Sequence, residues 1–181
     1  EGEKKFDLHE KYPQFTFLML MISRLEEEKN ISLALHALKD IVVKYPKTGL
    51  IVVGDGGEYS NLRREANRLG VSGNVVFEGW QSDLVSYYKS ANVFLSTSFY
   101  EGYGNTFIEA ALSGCPIVST DVGIMEDVLK DGESALVCRI GDKKCIVGKL
   151  TKLIENNQLR SDLAQNAKVA ALDHINHSWS E

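Results

Sequence analysis

Glu101 and Glu109 stand eight residues apart in FYEGYGNTFIEA, residues 99–110, with Gly102 and Gly104 between them. A carboxylate accepts two hydroxyl hydrogen bonds, which is what the vicinal diol of a sugar or ribose offers. Asn105 or Thr106 suits the cap of a helix over 105–113, and the amides of Gly104, Asn105 and Thr106 would then form a helix N-terminus that attracts anions. The two glycines permit positive φ and close approach of backbone to a ligand. Glu101, before the turn, and Glu109, about one helical turn in, are expected to reach the same cleft. Sugar-gripping carboxylates around a phosphate-gripping helix start suit a nucleotide diphosphate sugar. The plain alternative is a capped helix with a salt-bridged glutamate.

Other stretches carry weaker signals. In SRLEEEKN, Arg24 and Lys29 lie five residues apart and can face one anion if the loop folds back. A diphosphate fits, since arginine offers a planar fork and lysine a point charge. The alternative is two solvated cations offset by Glu26, Glu27 and Glu28. GDGGE, starting at Gly54, allows a sharp turn and close approach to a ligand, although it lacks the G-x-G-x-x-G spacing. GWQSD places Gly79 and Trp80 where an aromatic wall or backbone can frame a flat base, or where the tryptophan simply packs. TDVG adds Asp121 and Gly123 without being diagnostic.

The elements that must position these residues alternate. Short apolar runs at 15–22, 48–53, 74–78, 92–96, 116–119 and 134–138 are mostly continuous, as expected for strands covered on both faces. Helical patterns lie between them at 30–45, 58–69, 82–90, 105–113, 124–130 and 142–156, with another over 158–172. In the first of these, Ile31, Leu35, Leu38 and Val42 share a face and Asn30 suits the N-cap. The pattern predicts an α/β fold, a doubly wound parallel sheet in one Rossmann-like domain. Ligands of such sheets bind at the carboxyl ends of the strands, where every stretch named above falls.

The 181 residues, 44% hydrophobic and 25% charged with net charge −5, fit one globular domain and suggest no nucleic-acid partner. Three cysteines, Cys115, Cys138 and Cys145, are an odd number without C-x-x-C spacing, which argues against a disulfide framework and a zinc site. Cys115 and Cys138 read as small buried residues in a reducing compartment. His174 and His177 lack a third ligand, so no metal is expected. The run at 15–22 is too short to cross a bilayer. The chain opens without methionine in a charged lead-in and stops at HINHSWSE, which reads as a piece of a longer protein.

The ordered set SRL…K, VGDG, VVFEGW, ANVFLSTSFYEGYGNTFIEAALSGCPIVSTDVG and DGESALV resembles the carboxyl-terminal half of GT-B-fold retaining glycosyltransferases of family 4, over residues 15–172. By that resemblance, Arg24 and Lys29 hold the donor diphosphate and Glu101 contacts the donor sugar. The backbone of Gly102, Tyr103, Gly104, Asn105 and Thr106 lines sugar and phosphate. Glu109 binds the ribose, and Gly54 with Gly79–Trp80 completes the donor site around the base. The donor would be a UDP- or GDP-sugar, without a metal or other cofactor, since the cations replace the metal and no D-x-D motif is present.

The resemblance further implies that residues 1–14 are a lead-in between domains and that 173–181 begin a crossover region near Ser178-Trp179. A saccharide or lipid-linked acceptor would be held by an absent N-terminal domain, and the location would be cytoplasmic, at most peripheral on the membrane. Gly123 is followed by Ile124 where the family often has a second glycine. Two other readings stay open: a sugar-nucleotide epimerase on the same fold, and a non-catalytic nucleotide-sugar-binding module.

Overall fold

The computed structural model describes residues 2–125 and 127–178. Along the chain come α1 (Leu8–Lys11), β1 (Phe17–Ile22), α2 (Ile31–Val42), β2 (Thr48–Val53), α3 (Tyr59–Leu69), β3 (Val75–Gly79) and α4 (Leu84–Ser90). Then follow β4 (Val93–Ser96), α5 (Asn105–Leu112), β5 (Ile117–Thr120), β6 (Leu136–Cys138), α6 (Lys143–Glu155) and α7 (Asn157–Ser178). Among the described residues the strands form one parallel sheet in the order β3-β2-β1-β4-β5-β6. This is the doubly wound order of a Rossmann-like domain, and the winding reverses between β1 and β4. The loops leaving those two neighbours diverge, so a crevice opens at their carboxyl ends.

The apolar runs are continuous because the pleat sends alternate residues into two cores. Met19 and Met21 of β1, Leu50 and Val52 of β2, and Val93 and Leu95 of β4 join the core under α2, α3 and α6. Leu18 and Leu20, Ile51 and Val53, and Phe94 join the opposite core, under α1, α4 and α5. Helix α7 belongs to both, with Leu163 in the first core and Ala167 and Ala171 in the second. Its start crosses the amino edge of the sheet, where the Arg160 guanidinium lies 5.5 Å from the Phe17 ring centroid.

Several expectations are corrected. The segment 124–130 is not a helix among its described residues. Val128 donates to the Ile124 carbonyl at 2.9 Å, but the chain then turns so that Asp131 bridges to Ala135. Asn30 precedes α2 in a left-handed conformation, φ 46°, and its side chain caps nothing. Gly104, not Asn105 or Thr106, is the residue before α5. Cys138 and Cys145 form a disulfide with Cα atoms 5.8 Å apart, and Cys115 alone remains a buried free thiol. An odd cysteine count excludes only a fully paired set, and the turn between β6 and α6 brings these two together.

The charged lead-in is docked. Leu8 is buried, Phe6 meets Tyr87 edge to face at 5.0 Å, and Lys11 and Tyr12 both bond to Glu78 of β3. No helix among the described residues is long and apolar enough to cross a membrane. Trp179, part of the expected crossover signature, lies outside the described residues.

Candidate functional site

The crevice at the carboxyl ends of β1 and β4 brings together residues distant in sequence. After β1 the chain makes one tight turn over Glu27–Lys29 before α2 begins. That turn is fixed to the end of β4, because Thr97 donates to the Asn30 carbonyl at 2.9 Å and the Phe99 amide donates to the Glu28 carbonyl at 2.8 Å. Thr120 of β5 donates to the Ser98 carbonyl at 2.7 Å and holds the segment from the other side. Thr97, Ser98 and Thr120 are all buried, so these hydrogen bonds are shielded from competing water.

On this fixture Lys29 meets Glu101. The Lys29 Nζ lies 2.9 Å from Glu101 Oε1, and both side chains are largely buried, at 12% and 16% exposure. Ser98 Oγ donates to the same Oε1 at 2.8 Å. One oxygen of Glu101 is thus saturated by protein donors, while Oε2 has no protein partner among the described residues. A carboxylate in this state is oriented and still able to accept from a ligand. Ser23, Ser96 and Thr106 line the same crevice, and the buried Ser23 hydroxyl has no hydrogen-bond partner among the described residues.

Arg24 joins the group through a third residue. Its guanidinium lies 2.8 Å from Glu28 Oε1, and that oxygen is 3.9 Å from Lys29 Nζ. The two cations therefore do converge on one anionic oxygen, which belongs to the protein itself.

Glu109 is placed elsewhere. Helix α5 turns Phe107, Ala110 and Ala111 into the core, which sets Glu109 on an exposed flank toward α4. There it accepts from the Tyr88 hydroxyl at 3.1 Å. Burial first, then the Glu109 charge, pushes the Tyr88 phenol far above its usual value, so it remains a donor. Glu109, Tyr88, Asp83 and Leu84 line a cavity of about 540 Å³ between α4, α5 and α7. Lys29 and Glu101 thus line the crevice at the ends of β1 and β4, and Glu109 lines the cavity beside α4.

The glycines divide in role. A Cβ on Gly54, φ 131°, would lie 1.9 Å from the Ser23 carbonyl oxygen, so the loops after β1 and β2 pack too closely for any side chain. That close approach is to protein backbone. Gly123, φ 62°, lies against the loop after β4, where a Cβ would come within 2.9 Å of the Tyr103 carbonyl oxygen and 3.3 Å of Glu101 Cβ. Gly79 and Gly102 face open space, Asn105 is exposed, and Gly104 leads into α5.

Trp80, just after β3, is 76% exposed, so it is not a packed core residue. Tyr103 is about half exposed and its hydroxyl meets the His174 ring on α7. Among the described residues no group of acidic, histidine or cysteine side chains is arranged to hold a metal.

Sequence reasoning missed Ser98, Ser23, Tyr88 and the specific part of Glu28. A signal for Ser98 exists, since a serine three residues before a loop carboxylate can reach back to it.

Fold and crevice define a doubly wound domain with a charged crevice at its topological switch point. The chain belongs to the glycosyl transferases group 1 family, whose sequence pattern matches residues 4–170. It is 34% identical over 148 residues to the lipopolysaccharide core biosynthesis glycosyltransferase LpsE of Rhizobium meliloti, covering 82% of this chain and 42% of that one. It is 32% identical over 166 residues to the capsular polysaccharide biosynthesis glycosyltransferase CapM of Staphylococcus aureus, covering 89% and 43%. The chain thus spans less than half the length of these curated relatives.

Among solved structures, Anabaena HepE in complex with UDP superposes with a TM-score of 0.85 at 24% identity, covering 96% of this chain and 51% of that one. The C-terminal domain of the group 1 glycosyl transferase LpcC of Francisella tularensis gives 0.85 at 20% identity, covering 97% and 94%. At these identities the likeness is one of fold.

Proposed function

We propose that the chain is the donor-binding half of a retaining, GT-B, family 4 glycosyltransferase. The whole protein would move a hexosyl or amino-hexosyl group from a UDP- or GDP-sugar to a saccharide or lipid-linked acceptor held by another domain. The observation that carries this reading is the Lys29–Glu101 pair at 2.9 Å, set across the switch point with Glu101 Oε2 unoccupied by protein. Oε2 accepts from a donor-sugar hydroxyl. Lys29, Arg24 and the amide groups at the start of α5 stabilise the charge that develops on the leaving diphosphate. Donors fixed before reaction at a site of developing charge are commonly the largest catalytic contribution.

Metal-independence follows from the same cations under this reading. Trp80 and Gly79 frame the base, and Glu109 takes the ribose hydroxyls in place of the Tyr88 hydroxyl. The names of the relatives LpsE and CapM support a saccharide-building context.

The test is a thermal-shift screen of this chain against UDP-, GDP- and ADP-sugars, followed by calorimetry. A ligand at a hundred times its Kd should raise stability by about 2.7 kcal/mol. No shift with any nucleotide sugar would refute the reading. Without an acceptor domain the 181-residue chain is expected to bind donor and transfer nothing, and sugar transfer by the chain alone would overturn that part.

A further inference from the structure

Three glutamates in succession, Glu26, Glu27 and Glu28, separate the two cations of the crevice. Of these three, among the described residues, only Glu28 pairs its carboxylate with a cation. Its Oε1 lies 2.8 Å from the Arg24 guanidinium and 3.9 Å from Lys29 Nζ, a position between two donors that suits a phosphate oxygen equally well.

Exposure divides the cluster. Lys29 and Glu101 are held at 12% and 16% exposure, whereas Arg24 and Glu28 are 70% and 44% exposed. An ion pair at that exposure is weak and easily exchanged. The Glu28 backbone is fixed by the Phe99 amide, so release needs only a side-chain rotation and no movement of the fold.

We propose that Glu28 is the resident counter-anion of this site: it neutralises Arg24 and Lys29 in the empty domain and swings aside when a diphosphate arrives. The inference rests on the donor reading above and deepens it. A diphosphate carries more charge than one carboxylate and displaces it. The exchange lowers net affinity, because every binding event must first break the Arg24–Glu28 pair. It also favours departure of a nucleoside diphosphate, which is the leaving product under that reading, since Glu28 returns to Arg24 as the phosphates withdraw.

The test is calorimetry on this chain with inorganic pyrophosphate, UDP, GDP and ADP, using wild type, Glu28→Gln and Glu27→Gln. Glu27→Gln makes the same charge change in the same turn without touching a cation pair. Glu28→Gln should bind its preferred ligand about two- to fivefold more tightly, the range expected for loss of an exposed competing pair. Glu27→Gln should remain near wild type, and uridine or guanosine, which lack phosphate, should not respond to Glu28→Gln. Binding seen with Glu28→Gln alone would also support the proposal.

Equal affinity in wild type and Glu28→Gln would overturn it and leave the donor reading standing. Weaker binding by Glu28→Gln would also overturn it, by making Glu28 a residue that positions Arg24 for the ligand. Absence of binding by all three proteins would refute the donor reading and this inference together.

Discussion

Two lysine–carboxylate pairs, one spanning the sheet's switch point and one at β3, are built to opposite ends. Glu78 on β3 is closed: its side chain is 7% exposed, Lys11 Nζ reaches Oε1 at 2.6 Å and Oε2 at 2.8 Å, and Tyr12 donates to Oε1 as well. Glu101 after β4 is half open, with Lys29 and Ser98 both on Oε1 and no protein donor on Oε2. A saturated carboxylate fastens the lead-in to the sheet. A half-saturated one is oriented by the protein and left with capacity for something else. The difference lies in oxygen occupancy, not in residue type or distance.

The largest effect that would sharpen this contrast is on Glu78. Glu78→Ala should cost about 2–3 kcal/mol of folding free energy, because it removes hydrogen bonds to a charged group and leaves Tyr12 unpaired. Urea unfolding would measure it, and nucleotide binding by the folded fraction should be unchanged.

Acid should expose the same residue. Burial alone would raise the Glu78 carboxyl, but hydrogen bonds from Lys11 and Tyr12 outweigh it and hold it below its usual value of 4.5. A folded-state value below the unfolded one gives stability that is present above 4.5 and lost as pH falls through the lower folded value. Unfolding midpoints below pH 5 should therefore fall less steeply for Glu78→Gln than for wild type.

Glu101→Gln should show the reverse profile. Folding should change by less than about 1 kcal/mol, since the amide oxygen still accepts from Lys29. Affinity for a nucleotide sugar should fall by about 1–3 kcal/mol, with the bare nucleotide much less affected. A large stability loss with intact sugar binding would dissolve the distinction between the two pairs.

Glu109→Ala should weaken nucleotide binding, with or without sugar, by about 1–3 kcal/mol through lost hydrogen bonds to ribose, and unchanged affinity in calorimetry would count against that role. The smallest effect belongs to Ser98→Ala. Freeing Oε1 from one of its two donors should lower sugar affinity by about 0.5–1.5 kcal/mol and leave nucleotide affinity alone. No change would mean that Lys29 suffices to orient Glu101.

The sheet was legible because strands buried on both faces must be continuously apolar, and β1, β2 and β4 are. The segment 124–130 misled because Ile124 and Val128 carry a helical spacing that lasts one hydrogen bond before the turn to Asp131. Lys29 and Glu101 were legible as loop residues after neighbouring strands of a doubly wound sheet. The Tyr88 partner of Glu109 was not, since it depends on the rotation of α5 against α4, which no local pattern encodes. Nor was the Cys138–Cys145 bridge, which follows from a tight β6–α6 turn and not from cysteine number.

Helix α7 fills both layers, Leu163 on one side and Ala167 with Ala171 on the other, after passing beneath β1 at Arg160. It therefore works like a belt buckle. Trimming the chain back from its end would be tolerated only up to about Ala171, and a cut ahead of Leu163 would unseal both layers in a single stroke. Grafts of this domain onto other partners should be joined beyond that point.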